Sequence, residues 1–188
     1  MKKIAITGSL ASGKTTASKI LSVKRGPLFS ADATVKNLYK KKKFKKLIKK
    51  KFNIKENGNI KKYLRNKILK KKNNLKKLEK LIHPLVRSDM RKFLKKNKKN
   101  KFLFFEIPLL IENKLMKNFD LIFFIKANKT VRLKRFKLKG GELKLFKTLD
   151  KKQLSDKEKI KFCDHVIVNE KNKKVLKKNL LDIIKRYE

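Results

Sequence analysis

The segment GSLASGKT, from Gly8 to Thr15, constrains this chain more than any other feature. It fits the pattern G-x-x-x-x-G-K-S/T, follows the short apolar run Ile4-Ala5-Ile6, and precedes TASKIL, which favours a helix. A strand, a glycine loop and a helix in this order form the context that a phosphate-binding P-loop requires. A chance glycine turn in a lysine-rich chain would have to reproduce all of these features together. The segment therefore predicts nucleotide binding, although kinases, GTPases, transporters and helicases all share it.

The residue types of this loop suit the phosphates of a nucleotide. Gly8 and Gly13 let the backbone turn its N–H groups towards an anion, and the following helix adds the positive end of its dipole. Lys14 is expected to reach the β- and γ-phosphates, and the Thr15 hydroxyl is expected to bind Mg²⁺. ATP and Mg²⁺ are accordingly the predicted cofactors. The other residues of this segment predicted to contact the nucleotide are Ala11, Ser12 and Thr16.

The chain carries a large excess of positive charge. Lys and Arg number 58 against 15 Asp and Glu, which gives a net charge of +43. Such a charge attracts nucleic acids, anionic membranes and small anions alike. The excess is mostly Lys, accompanied by many Asn, Ile and Phe residues, and all four have A/T-rich codons. Genome composition explains this pattern at least as well as a binding surface does, so no specific nucleic-acid partner is predicted.

Length and composition predict one globular domain in a reducing compartment. At 188 residues, of which 40% are hydrophobic, the chain can bury a sizeable core and is not a disordered polycation. Its single cysteine, Cys163, cannot form an intrachain disulfide. The apolar run after Met1 is too short for a signal peptide, and no apolar stretch approaches the ~18 residues of a membrane span. We therefore predict a cytoplasmic protein without a membrane partner. The sequence does not determine the oligomeric state, and a monomer is the working expectation.

Apolar strands alternate with helical segments along most of the chain. The runs KFLFFE (101–106) and DLIFFI (120–125) are apolar on both faces, which is typical of central parallel strands. Shorter strands are predicted at 28–29 and 165–168. The predicted helices after the third strand are 129–139, 143–153, 155–162 and 175–187. The pattern predicts an α/β fold, a doubly wound parallel sheet of the P-loop NTPase type.

A long basic region with a helical period lies between the second and third strands. From 35 to 90, apolar residues recur at steps of three and four, which favours several helices. A break between helices is predicted at Asn57-Gly58-Asn59. Pro84 interrupts the pattern, so the sequence predicts a helix junction or a kink there. This region is predicted to be a helical insertion in the α/β core.

Two carboxylates are predicted at the same sheet edge as the glycine loop. Ligands of such sheets bind beyond the carboxyl ends of the strands, and Asp32 and Glu106 follow or end the second and third strands. Asp32 is placed to orient a hydroxyl acceptor and take its proton, or alternatively to cap a helix that starts near Thr34. Glu106 is predicted to hold a metal-bound water. The alternative for Glu106 is a solvated strand end.

Five segments of the chain, in order from Ile6 to Asn169, together resemble the dephospho-coenzyme A kinase family. They are ITGSLASGKT, SADATVKNLY, LIHPLVR, EIPLLIENKL and DHVIVN, and the ordered set is far more specific than the loop alone. The resemblance implies ATP-dependent phosphorylation of the ribose 3′-hydroxyl of dephospho-coenzyme A, the last step of coenzyme A biosynthesis. It also implies a single P-loop kinase domain with a helical coenzyme A-binding insertion and a lid. The boundaries expected for these parts are 1–34, 97–137 and 163–188 for the core, 35–96 for the insertion and 138–162 for the lid.

The resemblance also implies roles for individual residues. Asp32 matches the catalytic carboxylate of the family, and His83 belongs to the family's HP pair in the substrate site. Arg135 matches an arginine that contacts the phosphates where the lid begins, so it joins Lys14 and Asp32 as a predicted catalytic residue. Asn169, in the motif D-x-V-I-x-N, is expected at the nucleotide.

The chain departs from the family pattern at positions near the expected site. Where the family reads D-A-D, this chain has Ser30-Ala31-Asp32 and lacks the first acid. Lys139 stands where the family has a second lid arginine, and a lysine keeps the charge but loses the two-pronged hydrogen bonding. Lys139 is still expected at the nucleotide, with Lys159 adding charge to the site. The departures bear on the expected rate more than on the identity of the reaction.

Two further residues are predicted to contact the substrate. Arg87 is an arginine in a chain that otherwise prefers lysine, and this favours a phosphate contact. Glu112, in the motif PLLIEN, either touches the substrate or caps a helix.

Other nucleotide-binding classes fit the chain less well. A GTPase needs N-K-x-D, but this chain has Val131 after Asn128-Lys129-Thr130. A transporter ATPase needs L-S-G-G-Q, and the segment LKGGE at 138–142 lacks the Ser and the Gln. Two alternatives stay open: another nucleoside or nucleotide kinase of the P-loop fold, and a nucleic-acid-binding ATPase that uses the charge of +43.

Overall fold

A computed structural model of the chain describes residues 1–54, 60, 63, 64, 66, 67 and 72–188. The described residues form two compact units. The first unit joins Met1–Ser30 to Asn97–Glu188, and the second is Ala31–Lys96. The predicted break at Asn57-Gly58-Asn59 lies outside the described residues.

The first unit is built on a five-stranded sheet in which every neighbouring pair is parallel. Its strands are β1 Lys2–Gly8, β2 Leu28–Ser30, β3 Phe102–Glu106, β4 Leu121–Lys126 and β5 His165–Val168. They lie in the spatial order β2-β3-β1-β4-β5. Every residue of β3 is buried, as its continuous apolar sequence predicts for a strand covered on both faces. The predicted parallel sheet is confirmed.

The α-helices of the described residues follow the predicted order, with somewhat different ends. They are α1 Lys14–Ser22, α2 Ala31–Leu38, α3 Lys42–Lys51, α4 Lys72–Lys96, α5 Lys129–Leu138, α6 Leu143–Asp150, α7 Asp156–Ile160 and α8 Lys173–Ile184. The predicted helices at 143–153 and 155–162 are each shorter in the structure. Ser155 is the N-cap of α7, and its side chain forms a capping box with that of Glu158, which fixes where this helix begins. The predicted helix 175–187 begins earlier as α8 and ends in a 3₁₀ turn over Lys185–Tyr187.

The core of the first unit joins the sheet to its first and last helices. Leu21 of α1 and Leu180 of α8 are fully buried in the same apolar cluster as Ile4, Phe104 and Phe123 of three central strands. Burial of apolar side chains on this scale is the main force that holds a sheet and its helices together. The glycine loop is therefore anchored at both ends, by β1 before it and by α1 after it.

The second unit is helical and has an apolar cluster of its own. Phe44 and Ile48 of α3 are buried with Leu38 of α2 and Leu78 of α4. The rings of Tyr39 and Phe44 meet edge to face with their centres 5.2 Å apart. Most other positions of α3 are exposed lysines, so the helix is amphipathic with one apolar and one basic face.

Two expectations about helix ends are wrong. Of the junction or kink predicted at Pro84, the junction is wrong, because α4 runs through Pro84 as one helix, and the kink stays a prediction. Leu78 before Pro84 and Val86 after it both pack on the apolar cluster of the second unit. This packing stabilises the helix although Pro84 has no backbone N–H and one helical hydrogen bond is missing. Asp32 is not the cap of a helix that starts near Thr34. The helix α2 begins at Ala31, so Asp32 lies in its first turn.

The register of the sheet brings three chain segments to one edge. Glu106, the last residue of β3, pairs with Ile6 of β1 and with Ser30 of β2. Gly8, the first residue of the glycine loop, pairs with Ile125 near the end of β4. The carboxyl ends of these parallel strands thus surround the start of the loop. In the part of the chain that the structure describes, no helix is long and apolar enough to cross a membrane.

Candidate active site

The backbone of the glycine loop has the conformation that its glycines permit. Gly8 has a φ of 146° and Gly13 a φ of 101°, both in the region that disfavours side chains. A Cβ atom on Gly8 would lie 2.4 Å from the carbonyl oxygen of Ile125, and one on Gly13 would lie 2.2 Å from Nδ2 of Asn169. Gly8 therefore requires glycine for space as well as for φ, whereas a side chain at Gly13 would be strained by φ and would displace the amide of Asn169. Ala11 also has a positive φ, of 59°.

Two carbonyls of the loop, those of Ser9 and Ser12, accept hydrogen bonds from three side chains. The ammonium of Lys14 donates to the carbonyl of Ser9 at 2.8 Å. The carbonyl of Ser12 accepts from Nδ2 of Asn169 at 2.8 Å and from Nη1 of Arg135 at 3.3 Å. Each donor offsets the partial negative charge of a loop carbonyl, and this reduces the repulsion that the loop exerts on a phosphate. Lys14, Arg135 and Asn169, which the sequence predicted at the nucleotide, are thus gathered around one loop.

Residues after β4 hold the outer part of the loop. The backbone N–H of Leu10 donates to Oε1 of Gln153 at 3.1 Å, and the Leu10 carbonyl accepts from Arg132 at 3.4 Å. The Ser9 hydroxyl donates to the Asp156 carboxylate. Sequence reasoning missed these partners. The only available signal was that Arg132 is an arginine among lysines, the same signal that singled out Arg87.

Glu106 lies at the centre of the sheet edge. It is 2% exposed, so the alternative of a solvated strand end is wrong. Its Oε1 accepts a hydrogen bond from the Thr15 hydroxyl at 2.5 Å, and its Oε2 accepts one from the Ser30 hydroxyl at 2.9 Å. The buried carboxylate therefore joins the start of α1 to the end of β2. Ser30, where the family pattern has an acid, supplies a donor to Glu106 in place of a second negative charge.

Thr15 and Glu106 present oxygen atoms of the kind that Mg²⁺ prefers. Across the described ranges, no group of three or more His, Cys, Asp or Glu side chains could hold a metal ion unaided. A hydroxyl and one carboxylate fit a magnesium ion that takes its other ligands from water and from nucleotide phosphates. The donor set is therefore suited to a nucleotide-bound cation and not to a permanent structural metal.

Glu112 and Lys159 form an ion pair beside the outer part of the loop. The ammonium of Lys159 lies 2.7 Å from Oε1 of Glu112 and 3.2 Å from Oε1 of Gln153, and Lys159 is fully buried. Glu112 also accepts from the N–H of Leu154 at 3.3 Å. The sequence led us to expect Lys159 to add positive charge at the phosphoryl group. In the structure its charge is compensated by Glu112, because a buried ammonium needs a carboxylate partner.

Most of the remaining predicted site residues are exposed. Lys139 is exposed just after α5, and Thr16 is exposed in the first turn of α1. Three residues predicted at the substrate lie in the second unit. Asp32 is exposed in α2, where its charge suits the positive end of the helix dipole. His83 and Arg87 lie one turn apart on α4, the first partly buried and the second exposed.

Cys163 has the environment of an inert thiol. Burial raises its pKa to about 12, with the nearby Asp164 charge acting in the same direction. Its Sγ donates to the carbonyl of Lys159 at 3.2 Å. A thiol with this pKa stays protonated at neutral pH, so Cys163 is no nucleophile in this structure.

Comparison with known proteins gives one consistent family. The model of the family described as dephospho-CoA kinase matches residues 2–174. A relative of that name from Fusobacterium nucleatum subsp. nucleatum is 36% identical over 191 residues, which cover 98% of this chain and 94% of the relative.

Two solved structures share the fold. TT1252 from Thermus thermophilus aligns with a TM-score of 0.83 at 23% identity, over 100% of this chain and 98% of that one. The dephospho-CoA kinase from Campylobacter jejuni aligns with a TM-score of 0.66 at 24% identity, over 98% of this chain and 96% of that one. Identities this low show the fold alone, whereas the family match covers most of the sequence.

Proposed function

The chain belongs to the dephospho-CoA kinase family, and on this premise we propose how its residues perform the reaction. It is an ATP-dependent kinase of the final step of coenzyme A biosynthesis. In that step the γ-phosphoryl group of ATP passes to the ribose 3′-hydroxyl of dephospho-CoA, and ADP and coenzyme A leave. We assign the reaction to the cytoplasm, in line with the single unpaired cysteine.

One observation supports the proposal above the others: Glu106 is buried and bonded to Thr15 and Ser30 at once. This contact holds the first residues of α1 beside the end of β2. Asp32 follows Ser30 by two residues in the chain. In the proposed reaction Asp32 receives the acceptor hydroxyl, and Thr15 belongs to the nucleotide side. Phosphoryl transfer depends more on the positions of its reactants than on covalent chemistry.

Thr15 and Glu106 are the residues that would hold Mg²⁺, directly or through water. When bound, the ion would supply positive charge that offsets the negative charge developing on the phosphates during transfer. Thr15 contributes its hydroxyl oxygen, and Glu106 keeps that oxygen oriented. Ser30 adds a neutral donor on the far carboxylate oxygen, so the carboxylate keeps a fixed position.

Cationic side chains act on the transferred phosphoryl group. Lys14 follows the loop at the start of α1 and is 8% exposed, which places its charge where water screens it little. Arg135 already bonds the carbonyl of Ser12 in the loop and offers further donors of its guanidinium to phosphate oxygens. Lys139, one turn later and exposed, adds charge but not the fork of an arginine. Gly13 and Asn169 are the other residues proposed to contact the nucleotide, the first in the glycine loop and the second bonded to its Ser12 carbonyl.

Asp32 acts as the base. An exposed carboxylate can accept a hydrogen bond from the 3′-hydroxyl and then its proton as the new bond forms. The second unit, with His83 and Arg87 on α4, binds the rest of dephospho-CoA. Segment 138–162 acts as a lid that keeps water from the γ-phosphate, which prevents wasteful ATP hydrolysis.

A panel of acceptors tests the reaction. Purified protein is mixed with ATP, Mg²⁺ and one of dephospho-CoA, adenosine, AMP or cytidine monophosphate, and the products are identified by mass while ADP release is measured. We expect conversion of dephospho-CoA alone, by the mass of one phosphoryl group. Turnover of a different acceptor with none of dephospho-CoA would identify another nucleotide kinase. ADP release without any phosphorylated acceptor would contradict the proposal in favour of an ATPase.

A further inference from the structure

Arg132 of α5 is an arginine that neither the glycine-loop motif nor the mechanism above uses. Its side chain is buried, and its guanidinium has partners in three places. Nε donates to the carbonyl of Ala127 at 3.2 Å, and Nη1 donates to the carbonyl of Leu10 at 3.4 Å and to Oδ1 of Asp150 at 2.5 Å. The ring of Phe146 lies 5.6 Å from Cζ. One side chain thus connects the end of β4, the glycine loop and α6.

The outer part of the loop, residues 9–11, depends on such contacts. Both backbone polar groups of Leu10 are bound by side chains, the carbonyl by Arg132 and the N–H by Gln153. The hydroxyl of Ser9 is bound by Asp156. Ala11 has a positive φ, which costs free energy for a residue with a Cβ atom and needs support from its surroundings. All three supporting side chains come from positions 132–156.

An arginine is the residue type that suits this position. A buried cation is stable only if a carboxylate compensates it, and Asp150 does so. The planar guanidinium then has donors left in fixed directions for Ala127 and Leu10. A lysine would keep the ion pair, but its single ammonium has no second nitrogen with which to reach both carbonyls. This explains why the chain, which otherwise prefers lysine, has an arginine here.

We propose that Arg132 is a positioning residue for nucleotide binding: it acts through Leu10 to hold residues 9–11 in the conformation that receives the phosphates, and it couples that conformation to the docking of α6. The proposal rests on the proposed function only in taking ATP as the nucleotide. Because coupling between two sites is reciprocal, nucleotide at the loop stabilises the docked segment and the docked segment tightens nucleotide binding.

The test compares Arg132→Gln, Arg132→Lys and Gln153→Ala with the wild type. Arg186→Gln is the matched control, because Arg186 is exposed near the C-terminus and its loss changes the net charge equally. The dissociation constant of ATP is measured by calorimetric titration without any acceptor, well below the melting temperature of each variant. The KM for ATP, the KM for dephospho-CoA and kcat are then measured separately.

We expect Arg132→Gln to weaken ATP binding about tenfold, since it removes charge-assisted bonds to the loop and to α6. Arg132→Lys should recover part of this loss. Gln153→Ala should weaken ATP binding about threefold, because it removes the acceptor of the Leu10 N–H and of the Lys159 ammonium. The KM for ATP should rise by the same factors. The KM for dephospho-CoA should stay within about twofold of the wild type in all variants, because neither Arg132 nor Gln153 lies in the second unit, which is proposed to bind most of that substrate.

A purely structural role predicts a different pattern. Arg132→Gln would then lower the melting temperature but leave the dissociation constant of ATP within about twofold of the wild type, and that result would overturn the proposal. If Arg132→Gln does not fold, Arg132→Lys decides the question, because it keeps the ion pair with Asp150 and loses a carbonyl contact. Unchanged ATP binding in Arg132→Lys then overturns the proposal. A wild type that binds ATP but converts no dephospho-CoA would contradict the proposed function, whereas the titrations would still decide the role of Arg132.

Discussion

The unit that carries the glycine loop is organised by a parallel sheet and by side chains that bond its backbone, whereas the unit of residues 31–96 is organised by helices around a small apolar cluster. In the first unit, three loop carbonyls and one loop N–H each have a side-chain partner at a defined distance. In the second, Asp32 and Arg87 are exposed on helix surfaces.

Under the proposed function, this difference reflects what each unit binds. Phosphates are held by a rigid backbone, so the nucleotide side is fixed by glycine conformations and buried hydrogen bonds. A long, flexible acceptor molecule is held by side chains on helices, which need only a stable core beneath them. A change in the first unit should therefore alter ATP binding or transfer directly. A change in the core of the second should act on the acceptor and spare ATP.

The largest effect is expected for Lys14→Ala. The substitution removes a poorly screened positive charge that acts on the phosphates both before and during transfer, so kcat/KM for ATP should fall by about 10³-fold. Lys178→Ala, an exposed lysine of α8, is the matched control and should retain full activity. Steady-state kinetics at saturating dephospho-CoA measure both variants. A loss of less than about tenfold in Lys14→Ala would show that other cations replace it.

A core substitution in each unit separates the two binding functions. Ile48→Ala and Leu21→Ala each remove a fully buried aliphatic side chain, and each should cost about 3 kcal/mol of the free energy of unfolding. Ile48→Ala should reduce amide protection in α3 and impair the use of dephospho-CoA, whereas ATP binding stays near that of the wild type. Leu21→Ala should weaken ATP binding. Hydrogen exchange read by mass spectrometry and ATP titration provide the comparison, and equal loss of ATP binding in both variants would argue against separate cores.

Thr15→Ala should act through the cation. Loss of the hydroxyl removes one oxygen ligand and the partner of Glu106, so the Mg²⁺ concentration for half-maximal activity should rise about tenfold. Thr15→Ser keeps the hydroxyl and is the control. The measurement is a Mg²⁺ titration of the rate at constant ATP. The same half-saturation in both variants would place the cation elsewhere.

The smallest effect is expected for Lys139→Arg, which tests a departure from the family pattern. The arginine adds a second donor nitrogen at an exposed position after α5, and kcat should rise about two- to threefold with little change in KM for ATP. Lys137→Arg, at an exposed position of α5 itself, controls for a general effect of adding an arginine. A slower Lys139→Arg enzyme would mean that this position does not meet the phosphoryl group.

Much of the first unit could be predicted from the sequence because its signals are local. The continuous apolar runs of β3 and β4 predict central parallel strands, and the glycine pattern predicts the loop. The partners of Leu10 could not be predicted. Gln153 and Arg132 are separated from it by more than a hundred residues, and only the packed fold brings them within hydrogen-bond distance.

The differences from the expectations have similar physical reasons. Pro84 predicted a helix junction or a kink on local grounds, but apolar contacts on both sides of it in the second unit continue α4 as one helix. Lys159 was expected to add charge at the phosphoryl group, and in the structure its burial requires a counter-ion, which Glu112 supplies. Tertiary contacts decided both cases, and the period of the sequence contains no information about them.

The most direct test of the central claim is the turnover of Asp32→Asn together with its affinity for ATP. If Asp32 takes the proton of the 3′-hydroxyl, kcat should fall by about 10²-fold or more, because asparagine keeps the shape of the side chain but is no base. The dissociation constant of ATP should stay near that of the wild type and of the control Asp182→Asn, an exposed acid of α8. Near-normal kcat in Asp32→Asn would contradict the role of Asp32 and the mechanism built on it.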